Sequence, residues 1–162
     1  MYKRQFIGFE EVYRLRLPAA ELEILPYGTM ISRLKECIDD FQPEEVFMPH
    51  PGDIHSDHAV VAKCTESVCK SFRAPFVKKV LSYETLSETE QSYEVGFRPT
   101  VFVNIEKELE KKIKALQIYQ SELKDFPFPR SVEAIQSLAR YRGCSSGYLA
   151  AEAFAVHRML EN

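Results

Sequence analysis

Short apolar runs alternate with stretches of helical periodicity along this chain, and that alternation constrains its fold more than any other feature. Glu45-Val46-Phe47-Met48 ends at Pro49, Lys78 to Tyr83 makes a second run, and Val101-Phe102-Val103 a third. Between them lie segments with apolar residues three and four apart, one face of a helix. Thr29 is predicted to cap a helix that turns Met30, Ile31, Leu34, Ile38 and Phe41 inward and stops at Pro43. A second helix is expected to start near Asp57 and to bury Val61, Cys64, Val68 and Phe72. Asn104 and Ser131 are predicted to cap two more, the first with Leu109, Ile113 and Leu116 on one face, the second running through Val132, Ile135 and Leu138. The alternating run Val12 to Leu17, ending at Pro18, predicts a further strand. Leu22 to Pro26 reads as a connecting loop, residues 84–98 as a long loop or irregular hairpin, and Tyr148 to Leu160 as an Ala-rich apolar closing segment. Strands alternating with helices over short connections predict an α/β fold, a Rossmann-like, mostly parallel sheet flanked by helices.

Composition limits the function classes. A chain of 162 residues, 45% hydrophobic with a net charge of −3, suits a globular domain and carries no electrostatic footprint for nucleic acid or an anionic membrane. No apolar run is long enough for a membrane span and no secretory signal opens the chain, which leads to the expectation of a cytoplasmic protein. Cys37, Cys64, Cys69 and Cys144 lack CxxC spacing and read as free thiols in a reducing compartment rather than as disulfides or a sulfur metal site. Met1-Tyr2-Lys3-Arg4-Gln5 has no capping or periodic logic. It matches the translation of a transposon adapter end and reads as a scar, so residues 6–162 are expected to carry the fold.

The chemistry concentrates after the first apolar run. His50, His55 and His58 stand within nine residues, interleaved with Asp53 and Asp57, between a strand end and a helix start. Ligands of open α/β sheets bind beyond the carboxyl ends of strands. Imidazole with carboxylate is the donor set of a metal hydrolase, a nitrogen ligand plus an oxygen that fixes its tautomer. His55 and His58, three apart on a first helical turn, can share one site. On spacing alone the segment reads equally well as a polar turn whose Asp57 caps a helix.

His-Pro-Gly-Asp-x-His-x-Asp-His after a short apolar strand resembles the second motif of the PIG-L/LmbE-like de-N-acetylases, zinc-dependent amidohydrolases of Rossmann-like fold. Further segments resemble that family in its order: Phe97 to Ile105, Leu116 to Ser121, Phe128-Pro129-Arg130-Ser131, Ala139 to Gly143 and Ala151-Glu152-Ala153-Phe154. The family's first motif, His-Pro-Asp-Asp-x-Glu, which supplies two metal ligands and an aspartate base, is absent. The resemblance therefore implies the C-terminal part of a single deacetylase domain that lacks two βα units. It implies one Zn2+ with His58 as a ligand and the other ligands from the missing motif. It makes His55 the cation that stabilises the oxyanion and protonates the leaving amine, with Asp57 orienting its ring. His50, Asp53, Arg98 and Arg142 are candidate substrate contacts. The implied substrate is an N-acetylglucosamine-type sugar or conjugate, this chain alone is expected to be inactive, and a homo-oligomer is open for the longer protein. A metal-free interaction module and a different metal hydrolase, such as a phosphoesterase, are the competing readings.

Overall fold

The computed structural model describes residues 6–93 and 96–161, so the adapter-like residues 1–5 lie outside the described residues. Among the described residues the elements run in the order α1 (Tyr27–Phe41), β1 (Glu45–Pro49), α2 (Ser56–Val68), β2 (Lys79–Tyr83), β3 (Val101–Asn104), α3 (Leu109–Gln117), α4 (Val132–Cys144) and β4 (Ala151–Met159). Single 3-10 turns occupy Leu22–Ile24 and Gln120–Glu122. The strands order as β1-β2-β4-β3. The β1–β2 pair is parallel, Phe47 opposite Leu81, and β2–β4 is antiparallel, Ser82 opposite Ala155. The fold is α/β as expected, with a mixed sheet. Only the helical crossover through α2 enforces the parallel pair; β4 reaches β2 from the other direction.

Chain contacts divide the protein into two units, one of residues up to Tyr13 with Phe102–Ala153, the other of Arg14–Val101 with the residues from Phe154. In the larger unit α2 is apolar on two sides. Met48, Ala62, Cys69, Ala74, Val77 and Val80 form one buried cluster. Leu22, Met30, Val60 and Cys64 form another, against which Leu17, Ile31, Leu34 and Val61 pack. Burying a side chain such as Met48 or Met30, each 1% exposed, stabilises the fold by roughly 1.5–3 kcal/mol. The smaller unit closes over Ile105, Ala139 and Ala150. Gly143 is required there: a Cβ on it would lie 2.6 Å from the Tyr148 carbonyl oxygen.

Several sequence expectations change. Val12 to Leu17 is irregular, not a strand, with Arg16 in the left-handed region at φ 52°. Alternation favours a strand only where a neighbour supplies the ladder, and here the Arg33 guanidinium donates to the Leu15 carbonyl instead. Phe72 falls past the end of α2 and is 78% exposed. The closing Ala-rich segment is β4. Asn104 accepts from the Glu106 N–H at 2.9 Å in a local turn, and α3 begins only at Leu109. Ser131 does cap α4, its hydroxyl accepting from the Ala134 N–H at 3.1 Å. No helix among the described residues is long and apolar enough to cross a membrane.

Candidate functional site

The histidine loop leaves the carboxyl end of β1 and enters α2, as the sequence requires. Its backbone is pinned: the His50 N–H donates to the Tyr83 carbonyl at 3.1 Å, and the Asp53 N–H to the His50 carbonyl at 3.1 Å. These bonds carry His50 and Asp53 inward, to 5% and 7% exposure.

Asp53 is the organising carboxylate. Its Oδ2 lies 2.8 Å from His58 Nδ1 and its Oδ1 accepts from the Thr89 hydroxyl at 2.6 Å. The Asp53 side chain is fully buried while that of His58 is 25% exposed. A carboxylate only accepts, so Nδ1 of His58 carries a proton in this pair, and Nε2 is the ring nitrogen left for another partner. That is the second-sphere arrangement a metal-bound histidine needs. Burial and the Asp53 charge together push the Tyr83 phenol up from its ordinary pKa.

His55 is the N-cap of α2. Its Nδ1 accepts from the Asp57 N–H at 3.2 Å, and its ring stacks on that of His58 at 4.8 Å between centroids. An accepting Nδ1 has no proton, so the ring as held is neutral and presents Nε2–H. The expected imidazolium therefore requires this cap bond to break. The Asp57 carboxylate goes elsewhere than the expected His55 ring: Oδ2 accepts from the Ala20 N–H at 2.7 Å and Oδ1 from the Leu22 N–H at 3.0 Å. Asp57 thus fastens the segment before α1 to the start of α2, and touches His55 through its backbone.

The loop brings His50, Asp53, His55, Asp57 and His58 together. Arg98 is exposed, next to Phe97, whose ring meets His50 edge-on at 5.2 Å. Arg142 lies on α4 in the other unit, its guanidinium 5.2 Å from the centre of the Tyr141 ring. Thr89, Tyr83 and Ser82 were not singled out in the sequence, because hydroxyls in a polar loop or an apolar strand carry no spacing signal. A cavity of about 470 Å3 bordered by Pro51 to Ile54, Ala59, Ser92 and Tyr93 opens beside the loop, large enough for a small ligand.

Among the described residues no three His, Cys, Asp or Glu side chains converge as a metal-binding group. His58 fits a metal by its tautomer, but a catalytic zinc site takes about three protein ligands, so the described residues do not by themselves make one.

The model of the GlcNAc-PI de-N-acetylase family, PIG-L, matches residues 3–69, the segment that contains the whole histidine loop. No curated protein matches the chain in sequence. Among solved structures, a conserved protein from Thermus thermophilus, TT1542, is similar with a TM-score of 0.78 at 21% identity, covering 99% of this chain and 72% of that one. An N,N'-diacetylchitobiose deacetylase from Pyrococcus horikoshii is similar at TM-score 0.72 and 20% identity, covering 97% of this chain and 61% of that one. GalB, the 4-carboxy-2-hydroxymuconate hydratase from Pseudomonas putida, follows at 0.67 and 19%, covering 100% of this chain and 71% of that one. This chain thus spans less than two thirds of the chitobiose deacetylase. The structural likenesses establish a shared fold, and with the family match the PIG-L/LmbE-like resemblance holds.

Proposed function

We propose, from a chain that is PIG-L/LmbE-like across its histidine loop, that it carries the second-motif part of a metal-dependent amide hydrolase. The reaction is de-N-acetylation of an N-acetylglucosamine-type sugar or sugar conjugate. The observation that carries this reading is the 2.8 Å pair of Asp53 and His58, which commits His58 Nδ1 and leaves Nε2, in the first turn of α2, as the ring nitrogen for a metal. The chitobiose deacetylase of similar fold supports the substrate class. In this reading His58 is a zinc ligand, the remaining ligands and the base lie outside the described residues, and the 162-residue chain alone is inactive. The free thiols of Cys37, Cys64, Cys69 and Cys144 suit a cytoplasmic setting.

The chain's own residues then divide the work. Asp53 holds the His58 tautomer, with Thr89 holding Asp53 in turn. His55, as a neutral Nε2–H donor, hydrogen-bonds the carbonyl oxygen as negative charge develops on it. Passing a proton to the leaving amine requires His55 first to become the imidazolium and give up the Asp57 N–H, at a cost of about 1 kcal/mol. Asp57 positions that helix start by its bonds to Ala20 and Leu22.

The test is acetate release from an N-acetylglucosamine conjugate, with and without zinc. It compares this chain with one extended upstream through a strand carrying His-Pro-Asp-Asp-x-Glu. Zinc-dependent acetate from the extended chain alone, lost in His58→Ala, is expected. Release of phosphate instead of acetate from a substrate carrying both groups would sink the proposal.

A further inference from the structure

The cavity of about 470 Å3 beside the histidine loop has two walls. One is the loop itself, Pro51 to Ile54, with Ala59 of α2. Ile54 precedes His55 and Ala59 follows His58, so this wall is made of neighbours of the two stacked imidazoles. The other wall is Ser92 and Tyr93, from the turns that follow β2. Those turns are fastened to the histidine loop. The Thr89 hydroxyl accepts from the Thr85 N–H at 2.7 Å and donates to Asp53 at 2.6 Å. The Ile54 N–H donates to the Glu88 carbonyl and the Ser92 N–H to the Thr89 carbonyl, each at 3.4 Å. Thr89 and Asp53 are both buried, so water does not compete for the bond that sets the spacing of the walls.

The side chains on these walls select a ligand. Ile54 is 58% and Tyr93 96% exposed, so neither is held there by packing in the core. Large apolar side chains around a cavity that also offers a few polar groups are the make-up of a small-molecule site, and the volume lies in the range such sites occupy. Among the described residues lining the cavity none is Lys, Arg or His, while Asp53 brings a carboxylate. That field disfavours a phosphate or any other anion. A lipid chain needs an unbroken apolar lining, which Ser92 and the backbone of Gly52 and Asp53 interrupt. A neutral sugar ring matches both kinds of wall. Its C–H face is apolar and faintly positive, suited to the negative face of the Tyr93 ring. Its hydroxyls pair with the Ser92 hydroxyl and with backbone groups.

We propose that this cavity is a second sugar subsite, in which Tyr93 and Ile54 hold the unit next to the acetamido sugar that reacts. The substrate is then a neutral disaccharide or glycoside, not a phosphorylated sugar. The reacting unit is taken from the hydrolase reading, on which this inference rests; the preference for a neutral ring comes from the lining of the cavity. Tyr93 and Ile54 are specificity-determining residues in this arrangement. They touch the non-reacting ring and leave the chemistry to the loop's imidazoles and carboxylates.

The experiment titrates this chain, observed by NMR of Ile methyl and Tyr ring signals, with a disaccharide of N-acetylglucosamine and separately with N-acetylglucosamine 1-phosphate. The disaccharide is expected to move the Ile54 and Tyr93 signals along one saturating curve, and the phosphate to bind more weakly. Tyr93→Ala is expected to weaken the disaccharide about 3–10-fold, the worth of one ring-stacking contact, and Tyr93→Phe, which keeps the ring, to stay within about twofold. Tyr93 is exposed, so neither change threatens the fold. In the chain extended upstream, Tyr93→Ala is expected to raise KM for the disaccharide more than for the monosaccharide, with the loss in KM and not in kcat. Shifts that bypass Ile54 and Tyr93, tighter binding of the phosphate, or undiminished affinity in Tyr93→Ala would overturn the subsite. Saturable shifts at both residues with no acetate from the extended chain would overturn the hydrolase reading and leave the subsite; acetate release without preference for the disaccharide would do the reverse.

Discussion

Helices α2 and α4 are both 13 residues long, and each begins with a side chain that accepts an N–H of its first turn. In α4 the cap is Ser131, a small hydroxyl that satisfies an orphan donor. In α2 it is His55, whose ring makes a longer bond and stacks on another imidazole. Ser, Asn and Asp are the favoured caps, so a histidine there gives up capping quality for a defined tautomer. Local rules bend where a site needs them. The support is correspondingly larger at α2, where the Asp57 and Asp53 carboxylates bind four partners between them.

That contrast can be broken at graded points. Asp53→Asn keeps the shape but frees the His58 tautomer; metal-dependent acetate release by the extended chain is expected to fall roughly 10–100-fold, the usual effect of losing such a partner. Asp57→Ala leaves the Ala20 and Leu22 N–H groups without their acceptor and is expected to cost about 2 kcal/mol in urea unfolding, with no counterpart at α4. Ser131→Ala should cost about 1 kcal/mol. The matching change His55→Ser, which installs a better cap, should leave stability within about 0.5 kcal/mol while acetate release drops. Equal losses of stability at both caps would erase the distinction.

The smallest effect is alkaline. Tyr83 is raised in the folded state by burial and then by Asp53. Its contribution is complete below the ordinary tyrosine value of about 10 and is lost as pH rises through the folded value. Tyr83→Phe is expected to flatten the stability curve above about pH 10 and to leave it unchanged at neutral pH. A curve that stays as steep would place the shift on another group.

The loop and its flanking elements were legible because their signals are local. Met48 followed by Pro49, the crowding of His50, His55 and His58, and Ser131 before an apolar helix each state themselves within a few residues. Val12 to Leu17 misled because alternation is only half of a strand; the other half is a partner, and none of the described strands pairs with it. The β4 segment hid for the converse reason: its alternation is blurred by alanines and a bulge, and its identity comes from pairing with β2.

The sequence by itself determined the α/β class, the strand-end location of the histidine loop and the residue types able to do chemistry there, since periodicity and spacing are properties of neighbours along the chain. Which carboxylate serves which imidazole was decided only by the tertiary structure. Asp57 is adjacent to His58 yet binds Ala20 and Leu22, Asp53 takes His58, and Ser82 meets His157 across 75 residues. Hydrogen bonds follow direction and distance in space, and those are fixed by how α2, β2 and β4 pack.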